Sequence, residues 1–156
     1  MLIKKINELL KDREFVSVAT CDFKGKPNAV PKFLLKVEAE YIYLVDYTIG
    51  KTWENLKENP QVSLSLMDTG SLTGYRINGS VEIIEAGPLY KKALEELREK
   101  EVSLSAERVI EGLARGKAHK EFEVEIPDRF VVFKIKVLDV IAVSHRGQIF
   151  RSGSQV

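Results

Sequence analysis

The sequence predicts a mainly β, antiparallel domain, either a closed barrel or a sandwich, with helices outside it. Two observations carry that expectation. Six or seven apolar, β-branched runs recur along the chain, some alternating with the two-residue period of a half-buried strand. Short turns join most of them, and only a few helical patterns interrupt. A barrel has the further merit of leaving no exposed strand edge.

The elements follow in order. Ile3, Ile6, Leu9 and Leu10 recur at helical spacing, so residues 2–11 read as an amphipathic helix. Phe15 to Cys21 is a strand, and Asp22 to Lys26 supplies the turn, with Gly25 free to take positive φ. Asn28 to Val37 is a second strand, in which Pro31 marks an edge, a bulge or a strand start because it has no N–H to donate. Tyr41 to Val45 is a third strand. Thr52 to Asn59 is a short helix stopped by Pro60. Val62 to Met67 and Tyr75 to Ile84 are strands around a glycine-containing loop, and Gly79 predicts a bulge or a close backbone approach. Pro88 opens a helix with Leu89, Ala93, Leu94 and Leu97, and Ser105 is a plausible cap for another with Val109, Ile110 and Leu113. Residues 122–126 and 130–143 complete the strands. The expected organisation is one domain over 1–150 and a flexible tail, RSGSQV, over 151–156.

The 156 residues suffice for a single proper core. Lysine and arginine number 24 against 23 acids, a balance unlike the basic excess of a nucleic-acid binder. No apolar run approaches a spanning helix, and charges interrupt the first residues where a secretory signal would be apolar. Cys21, alone, forms neither an internal disulfide nor a thiol cluster, so the cytoplasm is the expected location, with no membrane and no nucleic acid as partners. Cys21 reads as a small buried hydrophobe, Trp53 and Phe33 as core aromatics, and Ser144-His145-Arg146 as a strand end. The two histidines, His119 and His145, belong to no metal-binding spacing, and no metal is expected.

One stretch points to chemistry. In Ile49-Gly-Lys-Thr-Trp53 an apolar strand is followed by a flexible Gly50, a cation at Lys51 and a hydroxyl at Thr52, just where a helix starts. The triplet copies the end of a nucleotide-binding phosphate loop. That loop needs another glycine five places earlier, and Val45 stands there, so a nucleoside triphosphatase is rejected. Free N–H groups at a helix start still favour a phosphate. The competing reading is an ordinary solvated helix start with a surface lysine.

The order of these segments resembles a known family. The strand pair FVSVATCDFKGKPNAVPKFLLKV, the segment YIYLVDYTIGKTWENLKENPQVSLSLMD and the strand GYRINGSVEII are similar to the FMN-binding split-barrel proteins related to pyridoxamine 5′-phosphate oxidase, over residues 3–86. Lys51-Thr52 with Asn55-Leu56 and Asn59-Pro60 is the most specific element. The resemblance implies a six-stranded, antiparallel split β-barrel with peripheral helices. It implies a homodimer with FMN in clefts between subunits, and a small-molecule or protein redox partner. It also implies that Lys51 and Thr52 hold the flavin phosphate. Pro31, Lys32, Phe33 and Leu34 would line the ring edge largely through backbone, and Val45, Asp46, Tyr47 and Thr48 would pass beside the ring and ribityl chain.

Departures narrow the activity. Where the vitamin-making oxidases carry serine-arginine-lysine, this chain has Ile49-Gly50-Lys51. Lys36 matches a family lysine, but Pro31 replaces an arginine, and the substrate-phosphate segment has no counterpart. The chain looks closer to small FMN-binding proteins, which implies an FMN-dependent oxidoreductase or flavin reductase. The alternatives are a non-enzymatic FMN carrier or electron-transfer protein, or a relative that binds deazaflavin or haem, with His119 or His145 as the axial ligand.

Overall fold

The computed structural model describes residues 2–116 and 128–153. Three helices and seven strands follow in chain order: α1 (Leu2–Lys11), β1 (Phe15–Cys21), β2 (Pro27–Glu38), β3 (Tyr41–Asp46), α2 (Lys51–Glu58), β4 (Gln61–Asp68), β5 (Thr73–Ile84), α3 (Pro88–Ala114), β6 (Val131–Val143) and β7 (Ile149–Gly153). All neighbouring strands run antiparallel, in the order β3-β2-β1-β4-β5-β6-β7, and β3 also pairs with β6. That last pairing closes six strands into a barrel and settles the choice against a sandwich.

Alternation makes the interior. In β1, Val16, Val18 and Thr20 are buried while Phe15, Ser17 and Ala19 are exposed. The same period puts Leu34, Ile42, Leu44, Leu64, Ile77, Phe133 and Ile135 in one core, where Phe133 and Ile135 are fully buried. Ile6 and Leu10 of α1 and Leu56 of α2 join that core. A second core lies outside the barrel wall. There Ala93, Leu97 and Leu104 of α3 share a cluster with Phe33, Leu35, Val45 and Val132.

The irregular positions have physical causes. β3 meets β2 only from Phe33 onward, so Pro31 sits where β2 has β1 alone as a neighbour and its missing N–H costs no β3 bond. A bulge falls between Asn78 and Gly79. A Cβ at Gly79 would lie 2.6 Å from Ile135 Cγ2 and 2.7 Å from the Lys136 carbonyl oxygen, so the close approach requires glycine. A second bulge, between Leu34 and Lys36, takes Leu35 out of register with β3.

Two expectations are corrected. The segment from Pro88 is one continuous helix to Ala114, with Ser105 inside it rather than capping a second helix. No glycine or proline stands between Leu89 and Gly112 to break it. Arg151–Gly153, expected within a flexible tail, belong to β7, which pairs with Asp139–Val143 of β6, and the rest of that expected tail lies outside the described residues. Two adjacent apolar residues, Ile149 and Phe150, are too short a signal to predict a strand. The strand expected at 122–126 lies outside the described residues.

Candidate functional site

The candidate site forms at the end of β3. Asp46 has the inward parity of Leu44 and Ile42, and its residue is 1% exposed. Its Oδ1 accepts from three donors: Lys32 Nζ at 2.6 Å, Thr48 N at 3.0 Å and Thr48 Oγ1 at 2.8 Å. Lys32, also inward-facing on β2, further donates to Thr48 Oγ1 at 3.2 Å. A charged acceptor with three short bonds fixes the turn that follows. Beyond it Ile49 takes a left-handed φ of 45°, a conformation rare for a β-branched residue, and the chain enters α2.

Among the described residues no side chain caps α2 at Gly50, so the first-turn N–H groups keep their capacity to donate. Lys51 is exposed, and its one ion pair among the described residues is a loose one, 3.4 Å to Glu54. Thr52 is buried, and its Oγ1 accepts from Asn28 Nδ2 at 3.1 Å, which leaves the hydroxyl proton as a donor. Asn55 Nδ2 donates to Thr20 Oγ1 at 3.1 Å, and Asn59 Nδ2 to the Cys21 carbonyl at 3.3 Å. The two asparagines therefore dock α2 onto the end of β1 and hold its N-terminus in place. An uncapped helix start, a lysine not tightly paired and a spare hydroxyl proton fit an anionic phosphate.

The ring-side residues divide by strand parity. Lys32 and Leu34 turn into the barrel, so they can reach a ligand in a surface cleft only through backbone. Phe33 and Val45 turn outward but lie beneath α3, at 6% and 1% exposure. Phe33 packs edge-on against Phe15 at 5.7 Å and tilted against Tyr47 at 6.2 Å. Tyr47 is half-buried, and that burial, with the Glu101 carboxylate, pushes its phenol up to about 12. Pro31 and Thr48 are exposed. Leu34's backbone is already engaged: its N–H donates to the Glu14 carbonyl at 2.7 Å and its carbonyl accepts from Lys100 Nζ at 2.5 Å. The fold thus joins Lys32, Asp46 and Thr48 directly, sets Thr52 beside Asn28, and keeps the Leu34 and Val45 side chains away from solvent.

Sequence reasoning missed Thr20 and Asn28, and it named Asn55 only as part of a motif, without its role in docking α2 on β1. The signal was present in the strands, since Thr20 and Asn28 are polar residues at inward-facing positions and are cross-strand partners. His145 is exposed in the turn after β6, and His119 lies outside the described residues. Among the described residues no helix is long and apolar enough to cross a membrane.

This fold and this corner define a split-barrel protein with a phosphate-compatible helix start. The chain belongs to the pyridoxamine 5′-phosphate oxidase family, whose model matches residues 2–144. It is 30% identical over 99 residues to the uncharacterized protein MJ0282 of Methanocaldococcus jannaschii; the match covers 60% of this chain and 66% of that protein, just under two thirds of its length. Among solved structures, a Clostridium acetobutylicum protein related to general stress protein 26, of the pyridoxinephosphate oxidase family, superposes with a TM-score of 0.66. It shows 17% identity, over 97% of this chain and 94% of that one. A pyridoxamine 5′-phosphate oxidase-related, FMN-binding protein of Nostoc punctiforme superposes with a TM-score of 0.54 at 13% identity, over 96% and 91%. These two likenesses speak to the fold.

Proposed function

We propose that the protein is an FMN-binding flavoprotein of the cytoplasm, acting as an oxidoreductase or flavin reductase, with Lys51, Thr52 and the first-turn N–H groups of α2 holding the flavin phosphate. The observation that carries this reading is the uncapped start of α2 with Lys51 exposed beside it. A phosphate there gains charge-assisted hydrogen bonds from backbone and side chain together. Membership of the family and the FMN-binding relative support it.

Bound FMN would supply the redox chemistry, exchanging one or two electrons. The chain's own residues bind and orient. Asp46 and Lys32 hold the Tyr47–Gly50 turn, Asn55 and Asn59 hold α2, and Pro31 and Lys32 lie in the stretch of β2 that β3 does not cover. The proposal includes a homodimer. Met67, Val143 and Ile149 are exposed apolar residues, linked across the sheet through Gly74, so they form one row on the outer wall. A row of this kind suits burial against a second copy.

Titrating the purified, flavin-free chain with FMN tests the reading, followed by absorption and sedimentation velocity. The expected result is a saturable, perturbed flavin spectrum on a dimer. Absence of FMN binding at any concentration up to that of free flavin's solubility would overturn it, and a spectrum acquired only with haem or deazaflavin would favour those ligands instead.

A further inference from the structure

We propose that the cavity between α1, the bulged end of β2 and α3 binds a small organic anion, its charged head among Lys4, Lys11 and Lys100 and its apolar body against Leu35 and Val37. The cavity encloses about 450 Å³, a size suited to a metabolite. Lys4, Asn7, Glu8 and Lys11 recur at i, i+3, i+4 and i+7 and so present one face of α1 to it. Lys100 enters from α3 on the opposite side. Leu10, Leu34, Leu35 and Val37 give the lining an apolar part.

The charges do not balance. Lys36 also lies in the wall, but Glu96 stands 2.8 Å and Glu38 3.2 Å from its Nζ, so it is already neutralised. Among the described lining residues that leaves Lys4, Lys11 and Lys100 against Glu8. Among the described residues neither Lys4 nor Lys11 has an ion-pair partner within 4.0 Å.

Lys100 is the decisive group. Its Nζ donates to the carbonyls of Leu34 at 2.5 Å and Leu35 at 3.3 Å, and stands over the Phe33 ring at 5.1 Å. The bulge at Leu34/Lys36 takes Leu35 out of register with β3 just where those carbonyls are bonded. These partners are dipoles and a ring face, not a counter-charge. Glu14 raises the lysine's proton affinity from a distance but is itself paired with Arg108. Half-burial prevails, and holds the Lys100 ammonium below the usual lysine range. An anion in the cavity would supply the charge that the fold omits.

The cavity begins at Leu34, where the proposed flavin-lining segment ends. A bound anion would therefore be a neighbour of the cofactor and a candidate substrate. That last clause rests on the proposed function; the binding itself does not.

The probes are phenyl phosphate and benzoate, titrated calorimetrically into the full chain, flavin-free and FMN-loaded. One saturable site per chain for either probe is expected, and saturation by neither overturns the proposal. Lys100→Met should weaken binding at least about tenfold, and Lys100→Arg should largely restore it. Should Lys100→Met fail to fold, the double variant Lys4→Met/Lys11→Met, at two exposed positions, is expected to show the same loss. Lys24→Met, in the β1–β2 turn, should bind like the parent; an equal loss there would mean diffuse attraction and overturn the site. Lys51→Ala separates the two readings. It should lose FMN and keep the probe, whereas loss of the probe would place the anion at the α2 corner instead.

Discussion

The Lys32 ammonium stands 2.6 Å from the Asp46 carboxylate, and their side chains are 8% and 0% exposed. Two full charges are thus sealed at the end of a largely apolar barrel. Such a pair gains little net stability over an apolar one, but removing one partner strands the other in a poor solvent for charge. Its contribution here is positional, since the same carboxylate oxygen also holds both the backbone and the hydroxyl of Thr48.

Lys32→Met should therefore destabilise the fold by about 3–5 kcal/mol, and Lys32→Met/Asp46→Leu should recover a large part of that loss. Urea unfolding of the two variants measures it. A single variant within about 1 kcal/mol of the parent would mean that Asp46 finds compensation elsewhere.

Lys51→Ala removes an exposed side chain whose ion-pair partner among the described residues is Glu54. Stability should stay within about 0.5 kcal/mol of the parent. FMN affinity should fall about tenfold to a hundredfold, the worth of one charged hydrogen bond. Fluorescence titration of FMN reads the second quantity and thermal unfolding the first. Unchanged affinity would refute the phosphate assignment.

Gly79→Ala and Gly74→Ala form a matched pair in the same strand. At Gly79 the new methyl meets a backbone oxygen at 2.7 Å, which cannot swing aside, whereas at Gly74 nothing lies within 4 Å. The first should cost about 1–3 kcal/mol and the second close to none. Equal urea midpoints for the two would show that the bulge can absorb a side chain.

Tyr47 gives a pH signature. Its phenol is pushed from 10.0 to about 12 by burial and then by Glu101, so the folded chain favours the protonated form. The resulting stability is complete below the unfolded value near 10.0 and is lost as pH rises through about 12. In an ultraviolet titration, Tyr47→Phe should delete a late step among the five tyrosines. It should also flatten the fall in stability over that alkaline window. A wild-type curve with every phenol titrating together near 10.0 would contradict it.

The barrel was legible because burial imposes a period of two: Val16-Ser17-Val18 announces a strand without knowledge of its partners. Gly79 was legible because a glycine inside such a run has few other uses. The Asp46 cluster was not, because Lys32 and Asp46 lie on different strands and meet only after β3 pairs with β2 and β6. In the sequence, nothing ties Lys32 to Asp46, 14 positions further on. Lys51 could be singled out since both of its relevant neighbours, Gly50 and Thr52, adjoin it. Lys100 could not, because its partners are carbonyls 65 and 66 positions away and backbone oxygen has no sequence signature. The continuity of α3 was obscured by Ser105, whose residue type favours helix starts yet does not prevent a helix from running through it.

β6 serves two partners in tandem along one flank, β3 through Val131–Lys136 and β7 through Asp139–Val143. The hoop is therefore complete before β7 is added, and β7 is a spur on its rim. Detaching the spur would leave the hoop shut but bare five residues of ladder on β6, a ready seat for the same spur from a neighbouring molecule. Exchange of this short arm between chains would need no barrel to open.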